Sequence, residues 1–351
     1  MTQSPFMPFD DVDKGGPAQP LLVVRDLKKH FSIKKGLFQK EKQFVHAVDG
    51  VSFSVAKGKT LGIVGESGCG KSTTAKLVAR LIQPDQGSMI FDGEGVEEYG
   101  GIALKEFRRK LQMVFQDSYA SLNPRLTIEQ TISFGPQIHG VSKAQAIELT
   151  HSLLERVGLL PKLYAHRYPH ELSGGQRQRV NIARALAFQP RLIILDEAVA
   201  ALDKSVQAQV LNLLQELKKE RELTYLFISH DLHVVHYLCD EVMVMYLGQV
   251  VERGRVDHIF KHPSHPYTQA LLASIPSMDP KNRTIKPSLN GDPPNPINPG
   301  EGCRFRDRCA HASQICHTQS PRLATVGVEK EHWVACHLNP VEVPQSAEAS
   351  R

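Results

Sequence analysis

The stretch LGIVGESGCGKSTTAKLVARLIQ constrains this chain more than any other. An apolar run enters a glycine-rich loop, and residues at helical spacing leave it, so a strand–loop–helix unit is expected. The loop itself, GESGCGKS at 65–72, fits the phosphate-binding pattern G-x4-G-K-S/T in the context that pattern requires. The residue types follow from the chemistry. Glycines let backbone N–H groups curl around phosphate oxygens, and the helix start adds the positive end of its dipole. Lys71 is placed to reach the β- and γ-phosphates, and Ser72 to ligate Mg²⁺. Gly65, Glu66, Ser67, Gly68, Cys69, Gly70 and Thr73 complete the predicted lining. Cys69 sits at a helix start, which lowers a thiol pKa, but it reads as loop lining rather than as a nucleophile.

A second acidic element belongs to the same chemistry. RLIILDE delivers Asp196 and Glu197 to the carboxyl end of an apolar strand, where ligands of parallel sheets sit. Asp196 suits the Mg²⁺ coordination sphere. Glu197 is placed to polarise a water against the γ-phosphate, a general-base role. Two acids after a strand could also be a solvated strand end; the upstream loop decides for the site.

The rest of the chain reads as α/β. LLVVRDL and VDGVSFSVAKGKTLGIVG are strand-like, separated by the basic loop SIKKGLFQKEKQ, which reads as a solvated hairpin insertion. Residues 128–158 and VNIARALAF are helical, and RLIILDE and TYLFISH are buried strands flanking the helix SVQAQVLNLLQELKKERE. EVMVMYLGQVVERG reads as a hairpin, with 251–255 a charged edge strand. After Pro276 the composition shifts to Pro, Asn and Gly, which cannot hold regular structure. The division expected is a flexible lead at 1–20, a catalytic domain at 21–261 with a helical subdomain at about 117–188, an extension at 262–345 and a tail at 346–351.

Composition narrows the partners. A net charge of +5 over 351 residues is far from a nucleic-acid footprint. No apolar run approaches the eighteen or so residues of a membrane span, and the acidic, Pro-containing N-terminus is no secretory signal. A cytosolic or membrane-peripheral protein is expected, in which clustered cysteines read as metal or redox chemistry rather than disulfides.

LSGGQRQR, at 172–179, lies between the phosphate-binding loop and the LIILDE strand, and it resembles the signature of ATP-binding-cassette (ABC) ATPases. Further matches fall in that family's order. Gln116 in MVFQD resembles the Q-loop glutamine, Asp203 in AALD the D-loop, and His230 in FISHD the switch histidine that contacts the γ-phosphate. Phe31 in LKKHF stands where the family stacks an aromatic ring on adenine. The resemblance implies a RecA-like core sheet with an antiparallel β subdomain and a helical subdomain. It also implies that ATP is held between two cassettes, with Ser173, Gly174, Gly175 and Gln176 of one closing on the loop of the other. Mg²⁺ is then expected on Ser72, Gln116 and Asp196, and catalysis on Glu197, His230 and Gln116.

Three further stretches resemble the peptide-importer branch. They are FQDSYASLNPRLTI, HPSHPYTQALLASIP, and GDPPNPINPGEGCRFRDRCAHASQIC, the last like the C-terminal extension of oligopeptide, dipeptide and nickel importer ATPases. Ala200 departs from the Ser common in relatives, outside the nucleotide-contacting pair. The resemblance implies an ATPase subunit at the cytoplasmic face of the bacterial inner membrane. Its partners would be two membrane permeases, a second ATPase chain that is either a related distinct subunit or another copy of this one, and indirectly an extracytoplasmic binding protein. A permease helix is expected to dock near 117–130, with Tyr119 and Leu122 offering apolar contacts. A nickel or other small-solute importer is the alternative, and a soluble ABC protein of repair or translation a more distant one.

Cys303, Cys309, Cys316 and Cys336 are four of six cysteines and follow C-x5-C-x6-C-x19-C. The tight C-x2-4-C pairs of zinc knuckles are absent. Wider loops suit a 4Fe-4S cubane, which members of the peptide-importer group are expected to carry here; zinc and unligated thiols are the alternatives. His262, His265, His311 and His317 read as incidental, and Cys239 as a buried filler.

Overall fold

A computed structural model of the chain describes Gly16 and residues 19–33, 43–96, 101–275, 295–326 and 331–339. The remainder of the expected lead before Pro20, the basic insertion at 34–42, most of the Pro-rich linker and the tail lie outside the described residues. The chain opens with β1 (Pro20–Ile33), β2 (Gln43–Ala56), β3 (Thr60–Val64) and α1 (Lys71–Val78). Next come β4 (Gln86–Phe91), β5 (Glu94–Gly95), α2 (Leu104–Lys110) and β6 (Leu111–Val114). A helical segment follows, with α3 (Ile128–Ile138), α4 (Lys143–Arg156), α5 (Pro161–Tyr164) and α6 (Gly174–Leu186). The chain then returns through β7 (Leu192–Asp196), α7 (Lys204–Arg221), β8 (Thr224–Ile228), α8 (Leu232–Leu238), β9 (Glu241–Tyr246) and β10 (Gln249–Arg255). Last are α9 (Val256–Lys261), α10 (Pro266–Ala273), α11 (Gln314–Thr318), β11 (Ala324–Thr325) and β12 (His332–Val334).

Two sheets result. The smaller is antiparallel in the order β2-β1-β4-β5. The larger runs β11-β12-β10-β9-β3-β8-β7-β6, parallel from β9 to β6. Every residue of β3, β7 and β8 is buried, as expected of parallel strands covered on both faces. Alternation then sorts their side chains. Ile193, Leu195, Tyr225 and Phe227 join the core shared with the helical segment. Leu192, Ile194, Leu226 and Ile228 join the core under α1 and the antiparallel sheet. Each such aliphatic side chain stabilises the fold by about 1.5–3 kcal/mol, so this two-sided clamp fixes where the strand ends lie.

The hairpin β9–β10 turns at Leu247 and Gly248, both at positive φ (43° and 80°), the geometry of a type I′ turn. A side chain at Gly248 would strike the backbone oxygen of His46 at 2.6 Å, so the glycine is required. The expectation that β10 is a charged edge strand is overturned. β12 pairs with it, Glu252 opposite Val334 and Gly254 opposite His332. Its charges are not a solvated fringe either, since Glu252 is 0% and Arg253 3% exposed. The extension therefore continues the core sheet. Among the described residues no helix is long and apolar enough to cross a membrane.

Candidate nucleotide site

The expected loop joins β3 to α1 as the sequence predicts. Gly65 and Gly70 have φ of 146° and 107°, and a Cβ on either would meet a backbone oxygen at 2.2 Å, Met245 and Ala47 respectively. Gly70 is also the N-cap of α1 and offers no side-chain cap. By contrast α3 and α6 begin with full capping boxes, Thr127 with Gln130 and Ser173 with Gln176. The first N–H groups of α1 are thus left for an anion. Lys71 is buried and its ammonium donates to the carbonyls of Gly65 (2.8 Å) and Glu66 (3.0 Å), inside the loop it is expected to serve. Cys69 is buried, and burial pushes its thiol above the ordinary range, which disfavours a thiolate nucleophile. Thr73 is half-buried in α1, while Ser67 and Gly68 are exposed at the loop tip.

The end of β7 meets this loop. Ser72 Oγ donates to Asp196 Oδ1 at 2.9 Å. Adjacent oxygens on an octahedral Mg²⁺, with bonds of 2.0–2.1 Å, stand about 2.9 Å apart, so these two groups fit neighbouring coordination positions. Burial raises the Asp196 carboxyl, with the neighbouring Glu197 charge adding to the rise against the Ser72 bond. Glu197 follows in a left-handed conformation, φ 48°, with its N–H bonded to Ile228 O at 3.0 Å. Two side chains from distant segments converge on its Oε2: Gln116 Nε2 at 3.0 Å and His230 Nδ1 at 3.3 Å. Residues 72, 116, 196, 197 and 230 thus form one polar constellation at the carboxyl edge of the sheet.

Other expected residues are held elsewhere. Phe31, near the end of β1, is 41% exposed, with Lys29 Nζ 5.7 Å from its ring centroid. Ser173 caps α6, and Gln176 donates to Tyr164 Oη at 3.1 Å. Gly175 packs so closely on α7 that a Cβ would lie 2.3 Å from Val206 Cγ1, while Gly174 has ordinary space. Asp203 is the exposed N-cap of α7. Among the described residues none of these shares a hydrogen bond with the Glu197 constellation. Leu122 does not offer the contact expected of it: it is 3% exposed, within the core of the helical segment. Tyr119 is exposed, with the Arg177 guanidinium 5.5 Å over its ring.

The four clustered cysteines are all free and half-buried. Cys303 N–H bonds to Cys316 O at 2.8 Å, which closes the loop between them. Burial raises the thiols of Cys303 and Cys336, and the other three sulfurs lie near enough to Cys303 to add to its rise. Yet no three of these sulfurs lie within 4.8 Å of one another; among the described residues only His30, His46 and Asp49 form such a trio. A zinc ion with 2.3 Å bonds would need sulfurs about 3.8 Å apart, closer than any three of these stand.

The His30, His46 and Asp49 trio was not foreseen. His30 Nε2 lies 3.1 Å from Asp49 Oδ1, and the two rings stack at 3.8 Å. Arg304 closes it by bonding Asp49 Oδ2. Burial would raise Asp49, but Arg304 and His30 outweigh it and hold the carboxyl below its ordinary range. With a guanidinium already on the carboxylate, the trio is an ion-pair network rather than a cation site. Of the expected incidental histidines, His265 is the exception: it is buried, and its Nδ1 caps α10 by accepting from Tyr267 N–H at 3.0 Å. Cys239 is buried against Gly62, as expected of a filler.

Comparison with known proteins agrees with this geometry. Residues 48–200 match the family model described as ABC transporter. Residues 251–316 match that of the oligopeptide/dipeptide transporter C-terminal region. The oligopeptide transport ATP-binding protein AppF of Bacillus subtilis (strain 168) is 50% identical over 325 residues, 91% of this chain and 98% of that one. The dipeptide transport ATP-binding protein DppF of Escherichia coli (strain K12) is 48% identical over 319 residues, 91% and 94% of the two chains. Among solved structures, cbiO1 from Clostridium perfringens, part of the ABC transporter complex cbiONQ, superposes with a TM-score of 0.59. It is 28% identical and covers 69% of this chain and 91% of its own. With its P-loop, LSGGQ signature and cysteine-bearing extension in one sequence, the chain belongs to the ABC ATPase family, in the branch of oligopeptide and dipeptide transport ATP-binding proteins.

Proposed function

We propose that this chain is the ATP-hydrolysing motor of an importer for dipeptides or oligopeptides. The observation that carries the reading is the convergence of Gln116 and His230 on Glu197, next to the Ser72–Asp196 pair. In this reading Lys71 leaves the carbonyls of Gly65 and Glu66 for the β- and γ-phosphates. Glu197 accepts a proton from the attacking water, which Gln116 and His230 help to orient. Ser72, Asp196 and Gln116 hold Mg²⁺, which neutralises the phosphate oxygens when bound. Phe31 stacks on the base. Ser173, Gly174, Gly175 and Gln176 face the nucleotide of a second cassette, and Asp203 lies at the seam between the two. ATP binding then favours the closed pair, and loss of the γ-phosphate releases it.

The partners that fit are two permeases, a second ATPase of related sequence and, indirectly, an extracytoplasmic binding protein, at the cytoplasmic face of a bacterial inner membrane. The permease helix docks in a cleft of about 250 Å³ between core and helical segment, lined by Leu81, Arg108, Met113, Phe115 and Phe188. That cleft, rather than Leu122, supplies the apolar contact. The test is reconstitution in vesicles with the cognate permeases and second ATPase. Binding protein loaded with peptide should stimulate ATP hydrolysis, and Leu81→Asp should abolish the stimulation while leaving ATP binding intact. Stimulation by nickel and not by peptide would move the assignment to a metal importer. Hydrolysis indifferent to permeases would overturn the importer reading altogether.

We further propose that Cys303, Cys309, Cys316 and Cys336 hold a 4Fe-4S cluster; the observation behind the reading is that the other three cysteines gather near Cys303. The four thiolates would be its ligands, and the cluster would tie residues 303–336 together. Protein purified without air should be brown and contain about four irons per chain. Colourless protein with one zinc, or with no metal, would exclude the cluster.

A further inference from the structure

The loop at 303–309 carries two of the clustered thiols and sends two arginines and a phenylalanine into the wall behind the nucleotide site. Arg308 grips Glu66, the second residue of the P-loop, through both carboxylate oxygens: Nη1–Oε2 is 2.7 Å and Nη2–Oε1 3.0 Å. The arginine side chain is 6% exposed and that of Glu66 23%. Glu66 is held through its backbone as well, since its N–H donates to Tyr267 Oη at 2.8 Å. Phe305 fills the space between, edge-on to Tyr246 at 5.3 Å and 5.5 Å from Tyr267. Arg304 bonds the carbonyl of Leu247. The neighbouring Gly248 N–H bonds Cys69 O at 2.8 Å, so a third strut reaches the loop.

This arrangement answers an electrostatic difficulty. The P-loop collects a polyphosphate with backbone dipoles and one lysine, yet it contains an acid. A bare carboxylate at Glu66 would repel the ligand and would be free to draw Lys71 or the loop backbone toward itself. A bidentate guanidinium both cancels that charge and fixes the carboxylate's direction. Affinity of a backbone cradle depends on its being formed before the ligand arrives.

We propose that Arg308 is a positioning residue of the nucleotide site: it neutralises Glu66 and presets the P-loop, so that the cysteine loop sets the affinity for MgATP. The proposal rests on ATP binding at the P-loop. Contact between residues 66 and 308 joins the cassette to its extension.

The test is MgATP titration of the full-length chain by calorimetry. Arg308→Ala should weaken binding roughly tenfold, the scale of one charge-assisted bidentate contact. Arg308→Lys should fall between, since it keeps the charge but not the fork. Adding Glu66→Gln to Arg308→Ala should restore most of the lost affinity, and in the Glu66→Gln background the loss of Arg308 should cost little. A merely structural tie would give no such recovery and would lower thermal stability instead. Arg306→Ala is the control, because that guanidinium turns to Glu301 O and Asp307. Arg308→Ala with unchanged affinity, or a loss that Glu66→Gln does not repair, would overturn the proposal. Lys71→Ala keeps the two readings apart. If it too binds normally, ATP binding at this loop is what fails.

Discussion

Glu197 is held in a backbone conformation that costs a non-glycine residue about 1–2 kcal/mol, φ 48°, and the structure over-determines it. Its N–H is tied to Ile228 O, and its Oε2 receives both Gln116 and His230. Removing the negative charge while keeping the shape isolates its chemical role. Glu197→Gln should bind ATP as the parent does and turn over roughly 10²–10⁴ times more slowly, the usual worth of a general base. The readout is single-turnover hydrolysis in the assembled transporter beside nucleotide binding; turnover near the parent's would remove Glu197 from the role. Residues of this kind were legible because each lies in a short pattern whose chemistry demands it. Arg308 was not. Its partner lies 242 residues away, and an arginine between two cysteines carries no local sign of a buried bidentate contact.

Elements were legible where periodicity is long and illegible where pairing is brief. The apolar runs of β3, β7 and β8 and the spacing of α7 leave little freedom, because a strand covered on both faces has to be apolar throughout. β12 has three residues, too few for an alternation to be read, yet it turns β10 from an edge into an interior strand. That explains Glu252, which looks like surface charge in sequence. It is enclosed, with His332 Nε2 at 2.7 Å and the N–H groups of Ser264 and His265 at 2.7 and 3.0 Å satisfying it. Leu122 misleads for the opposite reason. It lies in a polar, proline-containing loop, but that loop is anchored on α6 by Asn181 Nδ2, which donates to Ser118 O at 3.1 Å, and by Arg184, which bonds Ser121 O. The leucine is thereby turned inward.

At the scale of the molecule, the extension and the cassette share one core, and His265 stands where they join. Its backbone N–H bonds Glu252 on β10, and its ring caps α10. The first turn of that helix brings Tyr267 to the P-loop. Burial depresses the ring's pKa to about 4, against a weaker opposing pull from Glu252. A protonated ring cannot accept the Tyr267 N–H, so charging it breaks the cap. The unfolded chain, titrating near 6.5, therefore takes up a proton between pH 6.5 and 4 that the folded chain refuses. Stability from this residue is complete above pH 6.5 and is lost as pH falls toward 4. Between pH 7 and 5 the loss should be about 2 kcal/mol. His265→Asn keeps a capping acceptor but cannot be protonated in this range, so it should lose correspondingly less over the same interval. Urea unfolding of both proteins at pH 7 and pH 5 measures the difference. If the two lose stability in parallel, His265 does not control the joint. If only the parent weakens, and its MgATP affinity falls with it, acid loosens the P-loop from the side of the extension rather than from the phosphate site.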